Sequence, residues 1–134
     1  MLFTMLRSGS RALLLALFLP GCTNMRGAWS GSCDFSDGSY GEEVFLDLQI
    51  DHDHGRRIDG TARVTVLSEG AQDVDLTGEH TLTEVLLDMS IPAQGQDLSL
   101  RFTGQRDLDQ VSGSCELWVP GATSAVYGTG QLAR

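Results

Sequence analysis

Val44-Phe45-Leu46-Asp47-Leu48-Gln49-Ile50 alternates apolar and polar or exposed-type residues without a break. A period of two places every second side chain on the same face of an extended strand, whereas a helix would need apolar residues at spacings of three and four. Val44, Leu46, Leu48 and Ile50 therefore share one side, and Phe45, Asp47 and Gln49 the other. The pattern resumes after His54-Gly55. There Ile58, Gly60, Ala62, Val64 and Val66 stand opposite Asp59, Thr61, Arg63 and Thr65.

The same period continues outward in both directions. Ala28–Asp34 supplies a strand ahead of this pair, and further strands fall at about 72–79, 82–90, 97–104, 110–118 and 125–132, which makes eight. The breaks carry turn chemistry: Ser36-Asp37-Gly38, His54-Gly55, Glu69-Gly70, Pro92-Ala93-Gln94-Gly95 and Pro120-Gly121. Connections this short join antiparallel neighbours, because parallel pairs need long crossovers. A weak motif of apolar residue, any residue, glycine and polar residue recurs at Trp29, Ile58, Leu76, Phe102 and Val111. Its glycine lies on the core-facing side, where a tightly coiled sheet leaves little room for a side chain. The fold class is all-β, an antiparallel eight-stranded up-and-down β-barrel that leaves no sheet edge exposed. A two-sheet β-sandwich is the alternative.

The start of the chain has a different character. Arg7 and Arg11 precede an apolar run from Ala12 to Leu19, and Leu19-Pro20-Gly21-Cys22 closes it. A run of this length is far short of the roughly 20 residues that cross a bilayer as a helix. A positive segment followed by a short apolar core is the anatomy of a signal peptide. Leu-x-Gly-Cys resembles the lipobox of bacterial lipoproteins, although proline in its second position is unusual. The resemblance implies removal of residues 1–21, a diacylglycerol thioether on Cys22, and anchoring in the bilayer through two or three acyl chains. It also implies a bacterial cell-envelope location. Thr23, in place of an aspartate after the cysteine, favours the outer membrane over the inner. Residues 22–28 then serve as a lipidated tether and residues 29–134 form a single β domain.

Trp29-Ser30-Gly31 near the start of that domain and Tyr127–Arg134 at its end resemble, loosely, the avidin- and lipocalin-type small barrels. No ligand-binding motif of either family is matched. The cofactor expectation is none beyond the covalent lipid on Cys22.

Cleavage ahead of Cys22 leaves 113 residues, enough for one domain with a core. They contain 7 arginines, no lysine and all 18 acids, a formal charge of −11. Such a surface repels nucleic acid. With Cys22 claimed by lipid, Cys33 and Cys115 remain as a disulfide pair in an oxidising compartment. A pure meander strains that pairing. Strands one and seven are separated by strand eight, two spacings or about 9.6 Å, against the roughly 4.4–6.8 Å between bridged Cα atoms. The bridge must sit near a barrel end, or the strand order is not a pure meander.

Asp51-His52-Asp53-His54 is the densest cluster of potential metal ligands. Zinc or copper needs about three protein ligands, and His80 is the only further imidazole. Asp73, Asp75 and Glu79 lack any calcium-loop pattern. No nucleophile elbow or paired-carboxylate spacing is present, so the chain is expected not to be an enzyme. Trp29 and Phe102 fall on the core face. Phe45 and Trp118 fall on the outer face, where an aromatic pair would mark a partner surface.

The function expected from these features is a membrane-anchored, non-enzymatic binding or structural module that meets an envelope protein. One alternative is a carrier of a small hydrophobic ligand, its cavity lined by Trp29, Leu46, Val64 and Phe102. A further alternative is envelope metal binding through Asp51, His52, Asp53 and His54.

Overall fold

The computed structural model describes residues 24–35 and 42–134. Cys22, the expected signal peptide at 1–21 and the turn at Ser36-Asp37-Gly38 lie outside them. The described chain runs through β1 (Gly27–Asp34), β2 (Glu43–Asp53), β3 (Arg57–Val66), β4 (Gly70–His80), β5 (Glu84–Ala93), β6 (Gln96–Asp107), β7 (Gln110–Trp118) and β8 (Val126–Ala133). Each strand pairs antiparallel with the next and β8 returns to β1, giving a closed up-and-down barrel. The two-sheet alternative is thereby set aside.

Side-chain parity explains the core. Val44, Leu46, Leu48 and Ile50 are buried, as are Ile58, Ala62, Val64 and Val66, while the intervening residues face out. Opposite charges meet across the outer wall at register positions: Arg63 with Asp73 at 3.0 Å and Arg101 with Asp88 at 2.8 Å. Both pairs are solvent-exposed and contribute little to stability. Phe45 and Trp118 also face outward. They do not form a pair, because β1 and β8 separate their strands.

The disulfide resolves the geometric strain noted above. Cys33 and Cys115 are bridged with Cα atoms 6.0 Å apart, within a pure meander. Cys33 stands opposite Gly130 on β8, and Cys115 opposite Gly128. A Cβ on Gly130 would lie 2.6 Å from Cys115 Sγ. With no side chain there, β8 turns a sharp corner and the two cysteines meet inside it. Cys33 is one residue from the end of β1, so the bridge braces one end of the barrel.

The barrel has two unlike ends. That end, the mouth, carries the connections β1–β2, β3–β4, β5–β6 and β7–β8. The other, the base, carries the remaining connections together with the entry to β1 and the C-terminal Arg134. Residues expected to serve as a tether are part of the base: Met25 is fully buried, and β1 begins at Gly27. Buried apolar surface draws Met25 in, and its amide donates to Asp53 Oδ2 at 2.8 Å.

Candidate functional site

The base is closed by a packed polar and aromatic lid. Trp29 Nε1 donates to the Met25 carbonyl at 2.8 Å. The guanidinium of Arg134 lies 4.6 Å from the Trp29 ring centroid and that of Arg106 lies 5.5 Å away, within cation–π range. Arg106 and Arg134 both donate to the Asn24 carbonyl, at 3.2 and 3.0 Å, and Arg134 also reaches Asp109.

A β-bulge decides what Asp51-His52-Asp53-His54 does. The β2–β3 register shifts between Ile50 and His52, so Asp51 is the extra residue and the parity of everything after it reverses. Asp53 therefore turns inward, where His80 Nε2 lies 2.9 Å from its carboxylate, both side chains being almost fully buried. His52 and His54 turn outward and stack, ring centroids 5.8 Å apart, with His52 Nδ1 2.7 Å from Asp59. The four residues thus divide between two faces. Among the described residues no group of three or more His, Cys, Asp or Glu side chains is arranged to hold a metal ion.

Burial tends to raise the Asp53 carboxyl. Hydrogen bonds from His80 and from the amides of Met25 and Gly55 outweigh it, holding Asp53 below its ordinary value. A depressed carboxylate stabilises the fold above its unfolded value and loses that contribution as pH falls through the folded one. Acid is therefore expected to loosen the base. The urea midpoint of the native chain should fall more steeply between about pH 5 and pH 2 than that of Asp53→Asn, as followed by far-ultraviolet circular dichroism. Parallel profiles would remove Asp53 from this role.

At the mouth, by contrast, the described residues leave an opening between β4 and β5. The β4–β5 ladder runs only from His80↔Val85 to Leu76↔Met89. Nearer the mouth, Gly70–Asp75 and Ser90–Ala93 form no ladder with one another, and Pro92 has no N–H to give. A cavity of about 210 Å³ occupies this region. Its wall is apolar, from Val44, Val66, Ile91, Leu98, Leu100 and Leu117, and Gln72 and Gln96 add amides. Across the rim, Gln94 Nε2 donates to Glu69 Oε1 at 2.8 Å, joining the β3–β4 and β5–β6 turns.

The residues expected to line a ligand cavity sit elsewhere. Trp29, Leu46, Val64 and Phe102 are each at most 1% exposed and belong to the packed core. None of the four lines the mouth cavity. Leu46 and Val64 lie one layer below it, paired next to Val44 and Val66. Side chains fill the barrel at mid-height, as an eight-strand interior allows. The sequence marker of the opening is Pro92, which pairs with Asp97 of β6 but has no N–H to donate to β4.

Fold and site together define a small disulfide-braced β-barrel with a closed base and an open apolar mouth. No known protein family matches the chain, and no curated protein does. Solved structures do. EF1p2_mFAP2b bound to DFHBI superposes with a TM-score of 0.62 at 15% identity, covering 82% of this chain and 93% of that one. The redesigned β-barrel mFAP1 bound to DFHBI gives 0.57 at 14% identity, covering 82% and 94%. A de novo designed fluorescence-activating β-barrel gives 0.50 at 16%, covering 84% and 95%. At such identities the likeness is one of fold.

Proposed function

We propose that the chain is a non-enzymatic, lipid-anchored lipoprotein of the bacterial envelope that takes a small hydrophobic group at the mouth of its barrel. The observation that carries the binding half is the apolar mouth cavity of about 210 Å³. Its size selects the ligand. Drug-sized pockets run to roughly 300–1,000 Å³, while an engineered apolar cavity of about 150 Å³ accepts benzene. One aromatic ring or a short acyl segment fits. Gln72 and Gln96 would orient a polar substituent, and the Gln94–Glu69 bridge would have to part to admit it. Two of the structural neighbours are bound to DFHBI, which is in keeping with this use of the fold. The anchoring half is supported by Leu19-Pro20-Gly21-Cys22.

Both halves have a direct test. N-phenyl-1-naphthylamine, a neutral apolar fluorophore, should brighten on binding the native chain, and Ala93→Trp, which fills the mouth, should weaken binding at least about tenfold. An unresponsive native chain, or an Ala93→Trp variant that binds as well, would sink the mouth as a site. Labelled palmitate should enter the native chain and not Cys22→Ala, and unchanged labelling would remove the anchor.

A further inference from the structure

The chain enters the barrel at the base, and it is held there from Asn24 onward. The Asn24 carbonyl accepts from Arg106 and Arg134, the Met25 amide donates to Asp53, and the Arg26 carbonyl accepts from Arg134 at 3.2 Å. Cys22 is two residues before Asn24. Two residues of extended chain reach at most about 7 Å. An acyl group on Cys22 would therefore hold the base, and not the mouth, against the lipid surface.

The base collects most of the cations of the chain after Cys22. Five of the seven arginines after Cys22 belong to it: Arg26, Arg56, Arg57, Arg106 and Arg134. The other two, Arg63 and Arg101, are on the outer wall and engaged with Asp73 and Asp88. Two of its turns present apolar side chains to solvent, whereas the mouth presents one such leucine, Leu67 in the β3–β4 turn. Leu82, between β4 and β5, is 56% exposed, and Leu108, between β6 and β7, is 68% exposed.

Leu108 is the more telling of the two. Its φ of 56° lies in the left-handed region, in a two-residue hairpin turn where glycine or asparagine is the usual choice. A bulky apolar residue there carries backbone strain and gains no burial within the barrel. Insertion between lipid headgroups would supply that burial, with the exposed Arg26, Arg56 and Arg57 at the same end, while Arg106 is buried and Arg134 is engaged with Asp109.

We propose that the base is a lipid-contacting surface: with Cys22 acylated, Leu82 and Leu108 enter the headgroup region and the mouth cavity points away from the membrane. This rests on the lipoprotein reading above. It follows that a ligand or partner reaches the mouth from the aqueous side and not from the bilayer.

The test uses the full, lipidated chain in vesicles of phosphatidylethanolamine and phosphatidylglycerol, doped with a lipid brominated near the top of its acyl chain. Bromine quenches tryptophan only at close range. Leu108→Trp, with Leu82→Trp as a second base variant, is compared with Leu67→Trp in the mouth-end β3–β4 turn, where Leu67 is 78% exposed. All three positions are on exposed turns, and the signal of the native tryptophans is measured in the unaltered chain and subtracted. At least twofold stronger quenching of the base variants than of Leu67→Trp is expected. Equal quenching at the two ends, stronger quenching at Leu67→Trp, or none at either in a chain that floats with the vesicles would overturn the orientation while leaving the anchor. Flotation that persists unchanged in Cys22→Ala, or no flotation at all, would instead remove the anchor and the orientation with it.

Discussion

Replacing Cys33 and Cys115 together by alanine is expected to lower the midpoint of thermal unfolding by roughly 10–20 °C. The bridge closes a loop between residues 82 positions apart. In the chain-entropy account, a loop of that length restricts the unfolded ensemble by on the order of 4–5 kcal/mol, and losing a native bridge from a small disulfide-bonded domain typically costs about 2–5 kcal/mol. For a domain of this size, each kcal/mol moves the midpoint by about 4 °C. The effect is not confined to the unfolded state. The bridge spans the sharp corner at β8 beside the mouth, so its loss also removes the brace between β1 and β7. Melting followed by circular dichroism, with and without reductant, checks this. The native chain should respond to reductant and the double variant should not. A difference below about 3 °C between the two oxidised chains would show that the bridge constrains nothing.

The fold was legible in the sequence because its dominant signal is local. Period-two alternation from Val44 to Ile50 and from Ile58 to Val66 fixes which side chains point inward, and turn residues between runs fix antiparallel neighbours. What decides the site is not local. One extra residue, Asp51, reverses the parity of the His-Asp segment, and no composition rule announces a bulge. Asp53 consequently serves the base instead of joining its neighbours in a metal set. The docking of Asn24 depends on Arg106 and Arg134, more than eighty positions away along the chain. The mouth cavity depends on where the β4–β5 ladder stops, which register alone reveals. Core face and ligand face are the same face in a barrel strand. Trp29, Leu46, Val64 and Phe102 were the right kind of residue, at a height in the barrel where packing leaves no room.

The glycines control that packing, and substitution at Gly31 should show it. A Cβ built there would lie 1.8 Å from the Gln131 carbonyl oxygen and 2.8 Å from Leu132 Cα, both backbone atoms of β8. A side-chain neighbour can change rotamer, whereas a hydrogen-bonded strand has to move as a unit. Gly31→Ala is therefore expected to cost at least about 3 kcal/mol, the upper part of the range for overpacking. Gly60→Ala should behave alike, since its Cβ would meet the Gln49 carbonyl at 1.9 Å. Gly55→Ala is the contrast. Gly55 has a φ of +92° and nothing within 4 Å of an added Cβ. Only backbone strain opposes alanine there, and about 1–2 kcal/mol is expected. Urea unfolding of the three variants separates close strand approach from turn conformation. If Gly31→Ala proves no worse than Gly55→Ala, the strands do not approach as closely as the corner requires. If the large cost is found, it accounts for the position of the cavity as well. Close strand approach leaves the interior to packed side chains, and the apolar cavity described above falls where β4 and β5 part at the mouth.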